Sequence, residues 1–241
     1  DVVFTIEEKL FRGHEIAAHF KGTLREDQTE ALENMLKHDT GILCGTTAFG
    51  KTVVALKLIS ERKVNTLILV NKTTLVDQWK SKINEFLELD DSLGVGQLGG
   101  GKKKLSNNID IALLQSMYRK GEVHESIQNY GMVIVDECHH ISAYSFESVL
   151  KQANAKYIYG LTATPVRKDG HQPIIFMQCG PIRFQNNIKK ELEKRTFNHS
   201  LYTTLVPFNP AIKTNIPLQE LYAQISESEE RNQQIITDIT K

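Results

Sequence analysis

Short uninterrupted apolar runs alternate along this chain with longer stretches in which apolar residues recur every three or four positions. The runs Gly41–Cys44, Thr66–Val70, Ile109–Leu114, Met132–Val135 and Tyr157–Leu161 are the length of strands, and their lack of in–out alternation predicts burial on both faces. Between them, Arg25–Leu36 carries Ala31, Leu32, Met35 and Leu36 on one side, and Val53–Ile59 reads as a second helix. The clearest helix runs from Thr74 to about Leu87, with Leu75, Trp79, Ile83, Phe86 and Leu87 at helical spacing. Thr74 and Asp77 form a candidate capping box, with Asp where Glu or Gln is usual. Strand–helix alternation with buried strands predicts an α/β lobe: a mostly parallel sheet covered by helices on both faces. Ile174-Ile175-Phe176-Met177 predicts one further strand, and residues 1–20 show no clear period. From Glu191 the character changes. A polar helical start, a candidate strand at Ser200–Phe208, three prolines (Pro207, Pro210, Pro217) and a polar helical stretch Leu218–Lys241 follow. The predicted division is a lobe over 1–190 and an appendage over 191–241.

Composition narrows the picture. The 241 residues are 40% hydrophobic and carry no net charge, enough for one core and too neutral for a histone-like polyanion binder, though a groove with local positive charge remains open. Lys102-Lys103-Lys104 and Lys189-Lys190 are basic clusters, either solvated faces or parts of such a groove. Three scattered cysteines, Cys44, Cys138 and Cys179, suggest a reducing compartment, hence a cytoplasmic protein. No apolar run reaches membrane-spanning length and no signal peptide is visible, so no membrane partner is expected. The chain begins with Asp1 rather than Met, as expected of a piece of a longer protein.

Two motifs carry chemistry. Gly45-Thr46-Thr47-Ala48-Phe49-Gly50-Lys51-Thr52 matches G-x-x-x-x-G-K-[ST], between a strand and a helix. Backbone N–H groups of such a loop surround a polyphosphate, and the helix turns its positive end toward it. Lys51 supplies charge for the β- and γ-phosphates, and Thr52 a hydroxyl for Mg²⁺. About eighty residues on, the strand Met132–Val135 runs into Asp136-Glu137-Cys138-His139. The C-terminal ends of parallel strands are where ligands sit. Asp136 would hold Mg²⁺ through its water shell, and Glu137 would orient and deprotonate an attacking water.

With these motifs, the chain resembles the first RecA-like, P-loop NTPase lobe of superfamily 2 DExH-box helicases and translocases. Asp136–His139 is similar to their DExH box, and Leu161-Thr162-Ala163-Thr164-Pro165 to their third motif. Leu24-Arg25-Glu26-Asp27-Gln28 resembles the adenine-reading element, and Thr66–Trp79 a segment touching the nucleic-acid backbone. Arg167-Lys168-Asp169-Gly170 resembles an Arg-Glu-Asp element of the XPB-like branch, close to the restriction-enzyme motors. The resemblance implies ATP and Mg²⁺ as ligands, nucleic acid (DNA ahead of RNA) as partner, and a second RecA-like lobe beyond Lys241, toward which 191–241 leads. It implies adenine contacts from Arg25 and Gln28 with Phe20 or Phe11 stacking, and coupling through His139, Thr162 and Thr164. It also implies nucleic-acid contacts from Asn71, Lys72, Gly99, Gly100, Gln115 and Ser116; Leu113 stands where the family often has a phosphate-touching threonine. The arginine finger of such motors comes from the second lobe, so this chain is expected to bind nucleotide but hydrolyse it poorly.

Other readings stay open on the residues alone. Trp79 fits the core or a base stack, and Gly99-Gly100-Gly101 a flexible loop or a phosphate approach. The cysteines with His139, His140 and His171 match no zinc-finger spacing. An RNA helicase, a double-stranded DNA translocase of a restriction or defence system, and a nucleotide-gated binding module remain as rivals.

Overall fold

The five apolar runs become the central strands of one eight-stranded sheet. In the computed structural model, residues 10–90, 93–138, 143–163, 172–186, 203 and 217–240 are described. The chain divides into two units, Asp1–Lys190 and Glu191–Lys241.

In chain order the first unit contains β1 (Ala18–Phe20), α1 (Glu26–Leu36), β2 (Thr40–Cys44), α2 (Lys51–Arg62), β3 (Thr66–Val70), α3 (Thr73–Phe86), β4 (Leu87–Leu89), β5 (Val95–Gly99) and β6 (Lys102–Lys104). It continues with β7 (Ile109–Leu113), α4 (Leu114–Met117), β8 (Tyr118–Arg119), β9 (Glu122–Val123), β10 (Met132–Val135), α5 (Ala143–Lys151), β11 (Tyr157–Thr162), α6 (Gln172–Cys179) and β12 (Ile182–Gln185). The sheet order is β12-β2-β11-β10-β3-β7-β5-β6. All neighbours are parallel except β6, which closes the edge antiparallel to β5. β3, β7 and β10 are buried at every position, as strands covered on both sides must be. One core cluster packs α1, α2 and α3 against the sheet (Met35, Leu56, Trp79, Ile83). The other packs α4, α5 and α6 against the opposite face (Met117, Phe146, Val149, Ile175).

Three expectations differ from the structure. Ile174–Met177 lies in α6, not a strand. Pro173 is tolerated in a first helical turn, and Met177 is 78% exposed while Ile175 is 4% exposed; a four-residue apolar run cannot separate the two states. The last strand is β12 instead. Second, α3 begins at Thr73, after Lys72, with no side-chain cap. Thr74 is already inside the helix, where its hydroxyl cannot cap the terminus. The capping box sits on α1, where the Gln28 side chain accepts from the Arg25 amide at 3.0 Å. Third, Phe11 bridges Ala155, beside the start of β11, whereas the phosphate loop follows the end of the parallel β2. Phe11 is therefore at the wrong end of the sheet to stack on a nucleotide. The strand expected at Ser200–Phe208 lies outside the described residues apart from position 203. In the second unit, α7 (Leu218–Glu227) and α8 (Glu229–Ile239) occupy the stretch read as helical, broken at Ser228, whose hydroxyl accepts from the Arg231 amide.

Candidate active site

The sheet order brings the two chemical motifs together. β2, which leads into Gly45–Thr52, and β10, which leads into Asp136-Glu137, flank β11, so both motifs emerge at one C-terminal edge. The Gly45 amide donates to the Thr162 carbonyl at 2.9 Å, which ties the end of β11 directly to the phosphate loop. Thr47–Phe49 form a single 3₁₀ turn, and Gly50 ends it with φ 83°. A Cβ at Gly50 would lie 2.6 Å from Gln28 Nε2, so both the turn and its neighbour require glycine. α2 then starts at Lys51 and turns its positive end to the loop. The Lys51 ammonium is buried and donates to the carbonyls of Gly45 (2.9 Å) and Thr46 (3.3 Å).

Arg25 and Gln28 converge on the same loop. Arg25 Nη2 and Gln28 Nε2 both donate to the Phe49 carbonyl, at 2.7 and 2.8 Å. The Phe49 ring is fully buried and stacks on Phe184 at 5.6 Å. Leu24–Gln28, the segment expected from the sequence to read adenine, thus braces the phosphate loop. Each Gln28 amide atom still has one hydrogen-bonding position to spare. Phe20 stacks on Phe86 at 5.9 Å, with the Lys57 ammonium 5.5 Å from its centroid.

At the acidic pair, Asp136 is buried and both its oxygens are oriented. Trp79 Nε1 donates to Oδ2 at 2.8 Å, and the Glu137 amide to Oδ1 at 2.9 Å. Glu137 has φ 48°, a left-handed turn that a non-glycine residue adopts at a cost and that clusters at functional sites. Burial pushes the Asp136 carboxyl above its usual range. The Trp79 hydrogen bond opposes this, the Glu137 charge adds to it, and the Glu137 amide and Lys51 charge oppose it again. Thr52 and Asp136 line one cavity of about 240 Å³ with Gln78, Trp79, Ser81 and Lys82. A hydroxyl and an oriented carboxylate facing one small cavity suit a hydrated Mg²⁺, which takes oxygen ligands and keeps several waters.

The nucleic-acid candidates fall farther along the same edge, past β3, β7 and β5. Asn71 and Lys72 follow β3, and Gln115 Nε2 donates to the Asn71 carbonyl at 2.9 Å. Gly99, Gly100, Gln115 and Ser116 line one cleft of about 480 Å³. His139, Thr164, Arg167–Gly170, Lys189 and Lys190 lie outside the described residues, as do His140 and His171. Among the described residues no three His, Cys, Asp or Glu side chains are grouped to hold a metal. The three cysteines are free and buried.

Residues 21–167 match the protein family described as the type III restriction enzyme, res subunit. The chain belongs to this family. It is 36% identical over 167 residues to the DNA 3'-5' translocase XPB2 of Sulfurisphaera tokodaii, covering 69% of this chain and 36% of that protein. It is 30% identical over 168 residues to the DNA 3'-5' helicase XPB of Kineococcus radiotolerans, covering 67% and 29%. The chain therefore spans about a third of these curated relatives. Among solved structures, the UvsW helicase from Bacteriophage T4 aligns with a TM-score of 0.56 at 22% identity, over 72% of this chain and 64% of that one. The type ISP restriction-modification enzyme LlaGI, solved with a DNA substrate mimic, aligns with a TM-score of 0.51 at 19% identity, over 72% and 20%. The fold is the RecA-like lobe of this res-subunit family.

Two contributors were not foreseen in the sequence. Trp79 serves the core and also orients Asp136; its helical spacing announced burial, and nothing announced the N–H partner. The Phe49 carbonyl is the anchor for Arg25 and Gln28, a backbone role with no sequence signal.

Proposed function

We propose that this chain is the first motor lobe of a superfamily 2 DNA helicase or translocase, binding ATP with Mg²⁺ and working in the cytoplasm. The observation that carries this reading is the convergence of Lys51, Thr52, Asp136 and Glu137 on one sheet edge, with Asp136 held by Trp79. Lys51 exchanges the carbonyls of Gly45 and Thr46 for phosphate oxygens. Thr52 and Asp136 would hold Mg²⁺, which would supply positive charge to neutralise the phosphates. Glu137 holds the attacking water and takes its proton. Arg25 and Gln28 read the adenine edge with their remaining donors and acceptors, and the braced loop transmits that contact to Phe49. Thr162 couples the loop to β11. An arginine from a second lobe completes the charge stabilisation, worth about 10³–10⁵ in rate in such enzymes. This chain by itself therefore binds nucleotide and turns it over slowly. The three buried free thiols support the cytoplasmic setting.

Calorimetric titration with a non-hydrolysable ATP analogue tests the reading. Lys51→Ala removes most of the affinity, GTP competes poorly, and binding strengthens with Mg²⁺. Affinity unchanged in Lys51→Ala would sink the phosphate-loop assignment. A second reading, translocation along double-stranded DNA without strand separation, is favoured by the match to a restriction-enzyme family. Triplex displacement set against strand separation, with a two-lobe protein, distinguishes the two.

A further inference from the structure

The sheet edge beyond the nucleotide site carries more positive charge than that reading uses. The floor of the 480 Å³ cleft is Gly99, Gly100, Gln115 and Ser116; Lys102 and Lys103 line one side and Arg119 another. Both sides are hairpins. In the first, β5 and β6 pair with Gly99 opposite Lys102 and Leu98 opposite Lys103. In the second, β8 and β9 pair with Arg119 opposite Glu122, leaving a two-residue turn, Lys120-Gly121, with φ of 54° and 87°. Two positive φ angles are the mark of a type I′ turn, whose first position usually holds Asn, Asp or Gly. Here it holds an exposed lysine in a left-handed conformation, on a tip where even a Cβ at Gly121 would meet nothing within 4 Å. The hairpin is anchored at its base. The His124 amide donates to the Met117 carbonyl at 2.8 Å, and Tyr118 packs edge-on against Tyr144 at 5.9 Å.

Three lysines on β6 alone have a simpler account, since charge blunts an exposed sheet edge against strand addition. That account does not reach Arg119 and Lys120. Arg119 lies in a separate two-stranded sheet and Lys120 in its turn, yet Arg119 flanks the same cleft. The cleft lining includes one acidic residue, Glu122, beside Lys102, Lys103 and Arg119, in a chain whose 29 basic and 29 acidic residues balance as a whole.

We propose that the two hairpins form a cationic clamp on the sugar–phosphate backbone of a nucleic-acid strand laid over the glycine floor, with Lys102, Lys103, Arg119 and Lys120 as its phosphate contacts. The proposal rests on the nucleic-acid reading above and deepens it. Arg119 offers a two-pronged donor to one phosphate, and the lysines act as point charges. Such contacts position a strand and carry no sequence information. Holding the charges on short hairpins lowers the ordering cost of binding.

Fluorescence anisotropy of the 241-residue chain with single-stranded and duplex oligonucleotides of equal length, between about 50 and 200 mM salt, tests this. Two variants each remove two charges: Lys102→Ala with Lys103→Ala, and Arg119→Gln with Lys120→Gly, where glycine also suits the left-handed turn. Each pair is expected to flatten the slope of log affinity against log salt by about 1.8 on duplex or about 1.4 on a single strand. The oligonucleotide that shows this loss is the form the clamp grips. A charge-matched control, Lys37→Ala with Lys156→Ala, at the opposite edge of the sheet, leaves the slope unchanged. ATP-analogue affinity is unchanged in all variants, which confirms that they fold. Unchanged slopes in both hairpin variants, or equal flattening in the control, overturn the clamp alone. Failure of the unaltered chain to bind either oligonucleotide overturns the nucleic-acid reading and the clamp with it.

Discussion

Single side chains here do two jobs that sequence spacing cannot separate. Trp79 sits in the apolar stripe of α3, as its spacing predicts, and its ring is buried. Its N–H also holds a buried carboxylate. A hydrogen bond to a charged group contributes about 1.5–3 kcal/mol, so Trp79→Phe, which keeps an aromatic ring but loses the N–H and part of the buried indole volume, is expected to lower unfolding stability by at least that amount. It also weakens the Mg²⁺-dependent part of nucleotide affinity and spares the Mg²⁺-free part. Urea denaturation with paired titrations measures both, and a variant as stable as the parent would show that the bond contributes nothing. The cysteines carry a second residue-scale prediction. Burial pushes the Cys138 thiol up to about 12, helped by the Glu137 and Asp136 charges. Cys44 and Cys179 are also raised, chiefly by burial, with Lys51 opposing at Cys44. A thiolate is the reactive form, so none of the three should react with a chromogenic disulfide reagent near neutral pH until the chain unfolds. Prompt labelling of any one in the native protein contradicts the packing described. Burial of Cys44 was legible from the apolar run it ends, Gly41–Cys44; the partner of Asp136 was not, because Trp79 and Asp136 are 57 residues apart.

At the scale of elements, the long strands and helices were readable because a parallel sheet buried on both faces writes itself as continuous apolar runs. β3 and β10 begin and end where the pattern puts them. The short elements were not readable. β6 is three lysines, a strand only because β5 offers it a partner, and β8 and β9 are two residues each. α6 was misread as a strand because four apolar residues fit either period. The phosphate loop is the opposite case, a local motif whose conformation its own residues dictate. Gly50→Ala would force a Cβ into a left-handed position, costing about 1–2 kcal/mol, and against Gln28 Nε2 at 2.6 Å. We expect nucleotide affinity to fall at least ~10-fold, the equivalent of about 1.4 kcal/mol, with helix content by circular dichroism retained. Parental affinity in this variant would mean that the turn need not be left-handed.

The whole lobe should show its buried weak acids as an alkaline limb of stability. Cys138 moves from 9.0 to about 12 and Tyr159 from 10.0 to about 12. Tyr130, buried and donating to Asp110 at 2.6 Å, is raised further. Groups with raised folded-state values contribute stability that is complete below their unfolded values and is lost as pH rises through the folded ones. Urea midpoints should therefore hold to about pH 9 and fall progressively above it, the Cys138 thiol alone accounting for on the order of 4 kcal/mol at the top of the window. A flat profile to about pH 11 would refute that assignment. At this scale the division between sequence and structure is clear. The sequence by itself determined the α/β class, the central strands, the phosphate loop and the acidic pair, because each depends on contiguous residues whose period or local geometry is self-contained. Only the tertiary structure decided that β11 lies between β2 and β10, that Trp79 and Gly45 find Asp136 and Thr162, that Phe11 lies at the far end of the sheet, and that lysines and arginine from two hairpins flank one cleft. Strand order and cross-chain hydrogen bonds are set by which surfaces bury together, a long-range competition that local sequence pattern does not record.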